Sequence, residues 1–137
     1  MPNPEDISSI EKAIVDSAIK VYRTLGPGLL ASAYQACLIY ELNQHGSSVV
    51  CDVVLAVECN SIKINKGFSL DMLVDDKVVI RNTSESSTLA LYELEMKSHL
   101  SLGGYRSGYI LNWKNLLKRN GIKHVTLSEK QEQAKRS

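Results

Sequence analysis

From Ile7 onward the apolar residues Ile10, Ile14, Ala18, Val21 and Leu25 return at steps of three and four, the period that lines one face of an α-helix. Asn3 followed by Pro4 predicts its N-terminal cap. Gly26-Pro27-Gly28 predicts its stop, because proline cannot continue a helix and glycine tolerates the turn that ends one. A second stripe, Leu30, Tyr34, Cys37, Leu38 and Leu42, follows at once and predicts a second helix closed by Gly46. The pattern then changes. Val49 to Cys59 is rich in β-branched residues and ends at Asn60-Ser61, a turn signal, with Asn65-Lys66-Gly67 a further one. Phe68 to Val74 and Lys77 to Thr83 flank Asp75-Asp76 and predict the two arms of a tight hairpin. A helical stretch from about Thr88 to Leu102 ends at Gly103-Gly104. Tyr105 to Leu111 and Ile122 to Leu127 then read as strands joined by a short basic helix or loop. The order α, α, β, β, β, α, β, β predicts a mixed sheet with helices packed on it, an α/β fold.

Composition sets the scale of that fold. A chain of 137 residues that is 44% apolar and 23% charged fits one globular core. Residues 1–127 are expected to form a single domain and residues 128–137 a charged tail. A core of this size needs neither a disulfide nor a structural metal. Cys37, Cys51 and Cys59 are odd in number and lack a CxxC spacing, which favours a reducing, intracellular and cytoplasmic setting. The early residues include acids and no apolar run of the kind a signal peptide carries. The most apolar stretch, Val49 to Val57, is interrupted by Asp52 and is far shorter than the ~20 residues a membrane helix needs, so no membrane partner is expected.

The net charge of +1 conceals a division. From Lys114 to the end there are seven Lys or Arg against two Glu, so the first 113 residues carry −4. Trp113, Lys114, Lys118, Arg119 and Lys123 are therefore the candidate nucleic-acid-binding residues, an aromatic platform beside phosphate-binding cations. The plainer alternative is that Trp113 packs at the end of a strand and the basic run is solvated. His45, His99 and His124 show no metal-ligand spacing among themselves or with the cysteines. Cys37 lies in an apolar stripe and reads as core.

Gly26-Pro27-Gly28-Leu29-Leu30 with Ser32, Ala33 and Tyr34, then Gly67-Phe68-Ser69-Leu70-Asp71-Met72-Leu73-Val74, then Ile110-Leu111-Asn112-Trp113 and Gly121-Ile122-Lys123, is similar in order and spacing to the GxxExxY family. That resemblance covers about residues 7–127 and implies a PD-(D/E)XK, restriction-endonuclease-like core. It also implies Mg²⁺-dependent phosphodiester hydrolysis, in which carboxylates hold the ion and a lysine orients the attacking water. In such a site one carboxylate comes from a helix, one from the first hairpin arm, and a carboxylate-x-Lys pair from the second arm. A glutamine and a tyrosine four residues apart follow on the next helix.

Matched position by position, this chain keeps Asp71 on the first arm and loses the rest. Ala31 stands at the helix carboxylate, Arg81 and Thr83 at the carboxylate-x-Lys pair, and Glu95 and His99 at the glutamine and tyrosine. Arg81 sets a fixed positive charge where a ligand of a dication belongs, and it is expected to pair with Asp71 across the hairpin in place of a metal. The expectation is a nuclease-fold pseudo-enzyme with no metal or other cofactor, acting as an interaction or assembly module toward a protein partner or a second copy. The first alternative is a non-cleaving nucleic-acid-binding domain. The second is a Mg²⁺-dependent nuclease whose site has migrated onto Asp71, Glu85, Glu93, Glu95 and His99. The bland account of those last residues is that Glu93 with Lys97, and Glu95 with His99, are i,i+4 pairs on a solvated helix face, contributing about 0.3 kcal/mol each.

Overall fold

The amphipathic period of the first segment is realised as helix α1, Ile7–Leu25, which buries Ile10, Ile14, Ala18 and Val21. In the computed structural model, which describes residues 6–85 and 89–127, the cap is Asp6 rather than Asn3. Asp6 is extended and its carboxylate accepts from the Ser8 N–H at 3.2 Å, so it supplies the acceptor that the first turn requires. Asn3 itself lies outside the described residues. Helix α2, Ala31–Gln44, buries Tyr34, Leu38 and Leu42. Leu30, expected in its stripe, is instead the residue before the helix and stays 76% exposed. The end of α2 is set by Gly46, at φ 85°: the Ser47 N–H returns to Leu42 O and the Gly46 N–H to Asn43 O, each at 3.0 Å. That pair of bonds satisfies carbonyls the helix leaves open and needs a left-handed residue at Gly46.

Five strands follow: β1 Val49–Cys59, β2 Ile62–Val74, β3 Val78–Thr83, β4 Ser107–Asn112 and β5 Ile122–Thr126, with helix α3, Leu89–Gly103, between β3 and β4. They form one sheet in the order β1-β2-β3-β4-β5, antiparallel except for the parallel β3/β4 pair that α3 bridges. Asp75 and Asp76, at φ 50° and 56°, are the left-handed central pair of a β-turn that the Lys77 N–H closes on Val74 O at 3.0 Å, within the three-residue loop joining β2 to β3. The segment between β4 and β5 is a series of turns with no helix.

One predicted turn is absent. Asn65-Lys66-Gly67 lies inside β2, where the ladder passes from Leu55↔Phe68 to Val57↔Ile64, so three residues of β2 stand opposite Ala56. The turn-forming residues are used for a bulge. Gly67 is required there because a Cβ would collide with the Val57 side chain.

α1 and α2 cover one face of the sheet, packing on Met72, Val74, Val78, Ile80, Tyr109, Leu111 and Trp113. α3 covers the other through Met96 and Leu100, against Leu70, Leu73, Val79, Ile110 and Val125. The hairpin β1–β2 changes side between these clusters. Val49 and Cys51 pack with the first, Val53 and Leu55 with the second, and between them Asp52 adopts φ 53°. β2 does the same across Asp71, from Met72 to Leu70. A left-handed residue in a strand breaks its alternation, and this break sets Asp71 at the point where the two clusters meet.

Candidate functional site

β2 and β3 are in register from Val74↔Val78 to Met72↔Ile80. At the next level Asp71 and Arg81 face each other, and there the Asn82 N–H donates to Asp71 Oδ2 at 3.0 Å instead of to a backbone carbonyl. Strand alternation sends Arg81 and Thr83 to the α3 side and Asn82 to the opposite side. On the α3 side, Arg81 Nη1 lies 3.2 Å from Glu95 Oε1 and 3.9 Å from Asp71 Oδ1. Its guanidinium carbon is 5.4 Å from the centre of the Tyr92 ring, within cation–π range. Thr83 Oγ1 meets the Tyr92 hydroxyl at 3.3 Å, and that hydroxyl donates to Glu85 at 2.8 Å. His99 stacks on Phe68, ring centres 4.8 Å apart. Burial lowers the His99 pKa, which Arg81 also favours and the Glu95 carboxylate opposes.

Of the residues assigned to the site by sequence, Asp71, Arg81, Glu95 and His99 therefore line one small cavity of about 10 Å³, together with Ser69 and Tyr92. That is about the space of one water, so the cleft is filled by its own side chains. Thr83 stands just outside it, in the Tyr92 hydrogen bonds. Ala31 is on α2, packed against the cluster on the other face. Arg81 was expected to answer Asp71; its shorter contact is with Glu95 of the following helix. Glu93 likewise reaches off its helix, to Lys123 at 3.8 Å. Both carboxylates are thus engaged across elements, and the expected account of them as pairs along the helix with Lys97 and His99 is replaced.

These residues do not fit a divalent cation. Asp71 Oδ2 is engaged by a backbone N–H, Oδ1 faces a guanidinium, and the two remaining strand positions are an arginine and a threonine. A unit charge pair ~4 Å apart interacts by about 4 kcal/mol at an effective dielectric of ~20, and this term opposes an incoming dication, reduced by the partial exposure of the pair. Among the described residues no group of three His, Cys, Asp or Glu side chains is placed to hold a metal. The migrated set of Asp71, Glu85, Glu93, Glu95 and His99 is accordingly divided, with Glu85 bonded to Tyr92 and Glu93 facing β5.

The opposite face of β3 holds a network that sequence reasoning missed. Asn82 Nδ2 donates to Gln35 Oε1 at 3.1 Å, and Trp113 Nε1 donates to Asn82 Oδ1 at 2.8 Å. The indole is fully buried and stacks on Tyr34, 4.8 Å between ring centres and 1° between planes. Trp113 is thus the packed residue and offers no face to a nucleobase, which corrects its place among the candidate nucleic-acid-binding residues. Lys123 is turned toward Glu93. Lys114 and Arg119 line an open crevice of about 240 Å³ with Asn112, Asn115 and Asn120, beyond the carboxyl ends of β3 and β4. Lys118 is exposed beside it.

A second cluster was also not anticipated. Glu11 of α1 accepts from Ser107 Oγ at 2.6 Å and lies 2.8 Å from His124 Nε2, which is itself 2.8 Å from Ser107 Oγ. Serine and carboxylate meet the same ring nitrogen and Ser107 is only 2% exposed, so the group ties α1 to β4 and β5 and presents no nucleophile. The nearby Tyr109 hydroxyl is pushed up to about 12, by burial first and then by Glu11.

Among the described residues no helix is long and apolar enough to cross a membrane. Searches of curated proteins and of solved structures return no match to this chain. The family comparison does: the PD-(D/E)XK nuclease superfamily matches residues 8–125, from the second residue of α1 to the penultimate residue of β5. With a mixed five-stranded sheet, helices on both faces and that match across most of its length, the chain belongs to the PD-(D/E)XK nuclease superfamily.

Proposed function

We propose that this domain is a catalytically degenerate PD-(D/E)XK protein of the GxxExxY type, working as a non-catalytic interaction or assembly module with no resident metal. The observation that carries the reading is Arg81, whose guanidinium sits 3.2 Å from Glu95 and 3.9 Å from Asp71 at a position where a cutting enzyme would hold a ligand of Mg²⁺. It supplies locally the positive charge that a metal would bring, without a water to activate or a route to change coordination. The test is a cleavage assay on single- and double-stranded DNA and RNA in Mg²⁺ and in Mn²⁺, with no cutting expected. Metal-dependent cutting that disappears in Asp71→Ala would overturn the reading.

A second reading, nucleic-acid binding without cleavage, is supported by the crevice that Lys114 and Arg119 line. It is weakened by the burial of Trp113 and the engagement of Lys123. Binding measured against salt separates it from the first.

A further inference from the structure

The chain leaves the parallel pair β3/β4 in two directions. After Thr83 it runs to α3 on one face of the sheet, whereas after Asn112 it turns to the other, where Trp113 and Leu116 pack in the α1–α2 cluster. Parallel strands whose connections part in this way open a crevice beyond their carboxyl ends, the place where open α/β sheets hold ligands. Here that crevice has a volume of about 240 Å³. Leu89 and Tyr92 from the first turn of α3, with Ile110 of β4, make its apolar part, and Asn115, Arg119 and Asn120 make its polar part.

The polar part stands on a fixed frame. The Asn112 N–H donates to Gly121 O and the Trp113 N–H to Thr83 O, both at 2.8 Å, while the Asn112 side chain spans Glu85 O and the Lys114 N–H at 3.1 Å each. The Lys118 and Gly121 N–H groups close the intervening turns on Asn115 O and Lys118 O at 2.9 and 3.0 Å, and a Cβ at Gly121 would collide with the Asn115 and Leu116 carbonyl oxygens. Walls held in this way are formed before a ligand arrives, so little ordering is left for binding to impose.

We propose that this crevice binds a nucleoside monophosphate, with its base toward Leu89 and Tyr92 and its phosphate at Arg119. This goes beyond the module reading and adds a ligand to it. Residues 112–121 carry three cations and no acid, so the mouth favours an anion, and a guanidinium matches the paired oxygens of a phosphate. Glu85 is held by the Tyr92 hydroxyl, which turns the phosphate away from that end and leaves it to the base. An aromatic ring beside a leucine suits a flat apolar face, and carboxamides such as Asn115 and Asn120 offer donor and acceptor together, as base edges do. Size sets the limit: pockets for drug-sized ligands begin near ~300 Å³, so this crevice of about 240 Å³ admits one base, sugar and phosphate and no dinucleotide.

The probe is adenosine monophosphate (AMP) added to the nitrogen-15-labelled full-length chain and followed by amide shifts, with adenosine and inorganic phosphate as separate arms. Saturable shifts centred on Leu89, Tyr92 and residues 112–121 are expected, with AMP binding about tenfold tighter than either fragment. Arg119→Gln and Asn120→Asp should each weaken AMP by about tenfold. Both positions are exposed, and aspartate tolerates the φ of 64° at residue 120, so Tm should hold. Arg23→Gln, the same change of charge on an exposed position of α1, should leave AMP binding unaltered. An absence of saturable shifts, phosphate alone as tight as AMP, or AMP binding indifferent to both crevice variants would each overturn the proposal. A phosphorylated tetranucleotide that binds about tenfold tighter than AMP would overturn it in favour of a strand-binding surface. A chain that binds AMP here and also cuts nucleic acid would overturn the module reading and spare the crevice.

Discussion

At residue scale the chemistry of the cleft turns on Arg81. Its contacts with Glu95 and Asp71 are more than a third exposed on both sides of the closer pair, so neutralising it by Arg81→Gln should cost only on the order of 1 kcal/mol in urea unfolding. The larger change should be in metal affinity. Arg81→Glu with Thr83→Lys restores a carboxylate-x-Lys pair facing Asp71, and Mn²⁺ should raise the Tm of that double variant while leaving the parent unmoved; a parent that Mn²⁺ or Mg²⁺ stabilises would contradict the exclusion of metal. His99 gives a pH test. Burial lowers its folded pKa below the unfolded value of about 6.5, so the unfolded chain binds more protons in that window. Its contribution to stability is complete above about pH 6.5 and is lost as pH falls toward the folded value, and His99→Gln should flatten the fall in Tm below pH 6.5. How Arg81 and Thr83 align was legible in the sequence, because both sit on β3, whose period of two fixes their side, whereas Asp71 stands where β2 changes side between the two clusters. The partner of Arg81 was not. Glu95 reaches it only through the packing of α3 on the sheet, a distance that no spacing along the chain encodes, although Tyr92 at three residues before Glu95 does mark the same helix face.

At the scale of elements, both helix stripes and the Asp75-Asp76 turn follow from local rules, and they were readable for that reason. Asn65-Lys66-Gly67 carries the same residue types as a turn and became a bulge, because β2 continues to pair with β1 on both sides of it. Long-range pairing decided between two uses of one local signal. The bulge makes a prediction: Gly67→Ala must displace Val57 and should destabilise by about 1–3 kcal/mol, the usual cost of overpacking. Asn82 and Trp113 are a second case, joined across 31 residues by one buried hydrogen bond. Trp113→Phe keeps an aromatic ring against Tyr34 but leaves Asn82 Oδ1 without its donor, so a loss of about 1–3 kcal/mol is expected from urea denaturation. Replacing both partners, Trp113→Phe with Asn82→Val, should recover part of it; a double variant no better than the single would show that ring size rather than the hydrogen bond is responsible.

At the scale of the whole molecule, the charge division of the sequence is redistributed by the fold. The 24 residues from Lys114 onward carry seven cations, yet the four among the described residues do not share one free basic face. Lys123 on β5 is set against Glu93 of α3, and Lys130, Lys135 and Arg136 lie outside the described residues. Lys114, Lys118 and Arg119 remain together in the turns between β4 and β5, near the crevice beyond the carboxyl ends of β3 and β4. If that surface binds a duplex, at most three phosphate contacts are available from it, and each contributes roughly −0.9 to the slope of log affinity against log salt. A slope near −3 is then the ceiling, and exchanging Lys114, Lys118 and Arg119 together for glutamine should abolish it, while Lys123→Gln should change it little. The −4 carried by the first 113 residues opposes a broad approach of nucleic acid, so binding at physiological salt is expected to fall in the weak, sequence-tolerant range. Fluorescence anisotropy across a salt series measures both quantities. A dissociation constant below about 1 μM at physiological salt, tighter than the usual non-specific range, would transfer the conclusion from an assembly module to a nucleic-acid-binding domain, with the crevice as its site.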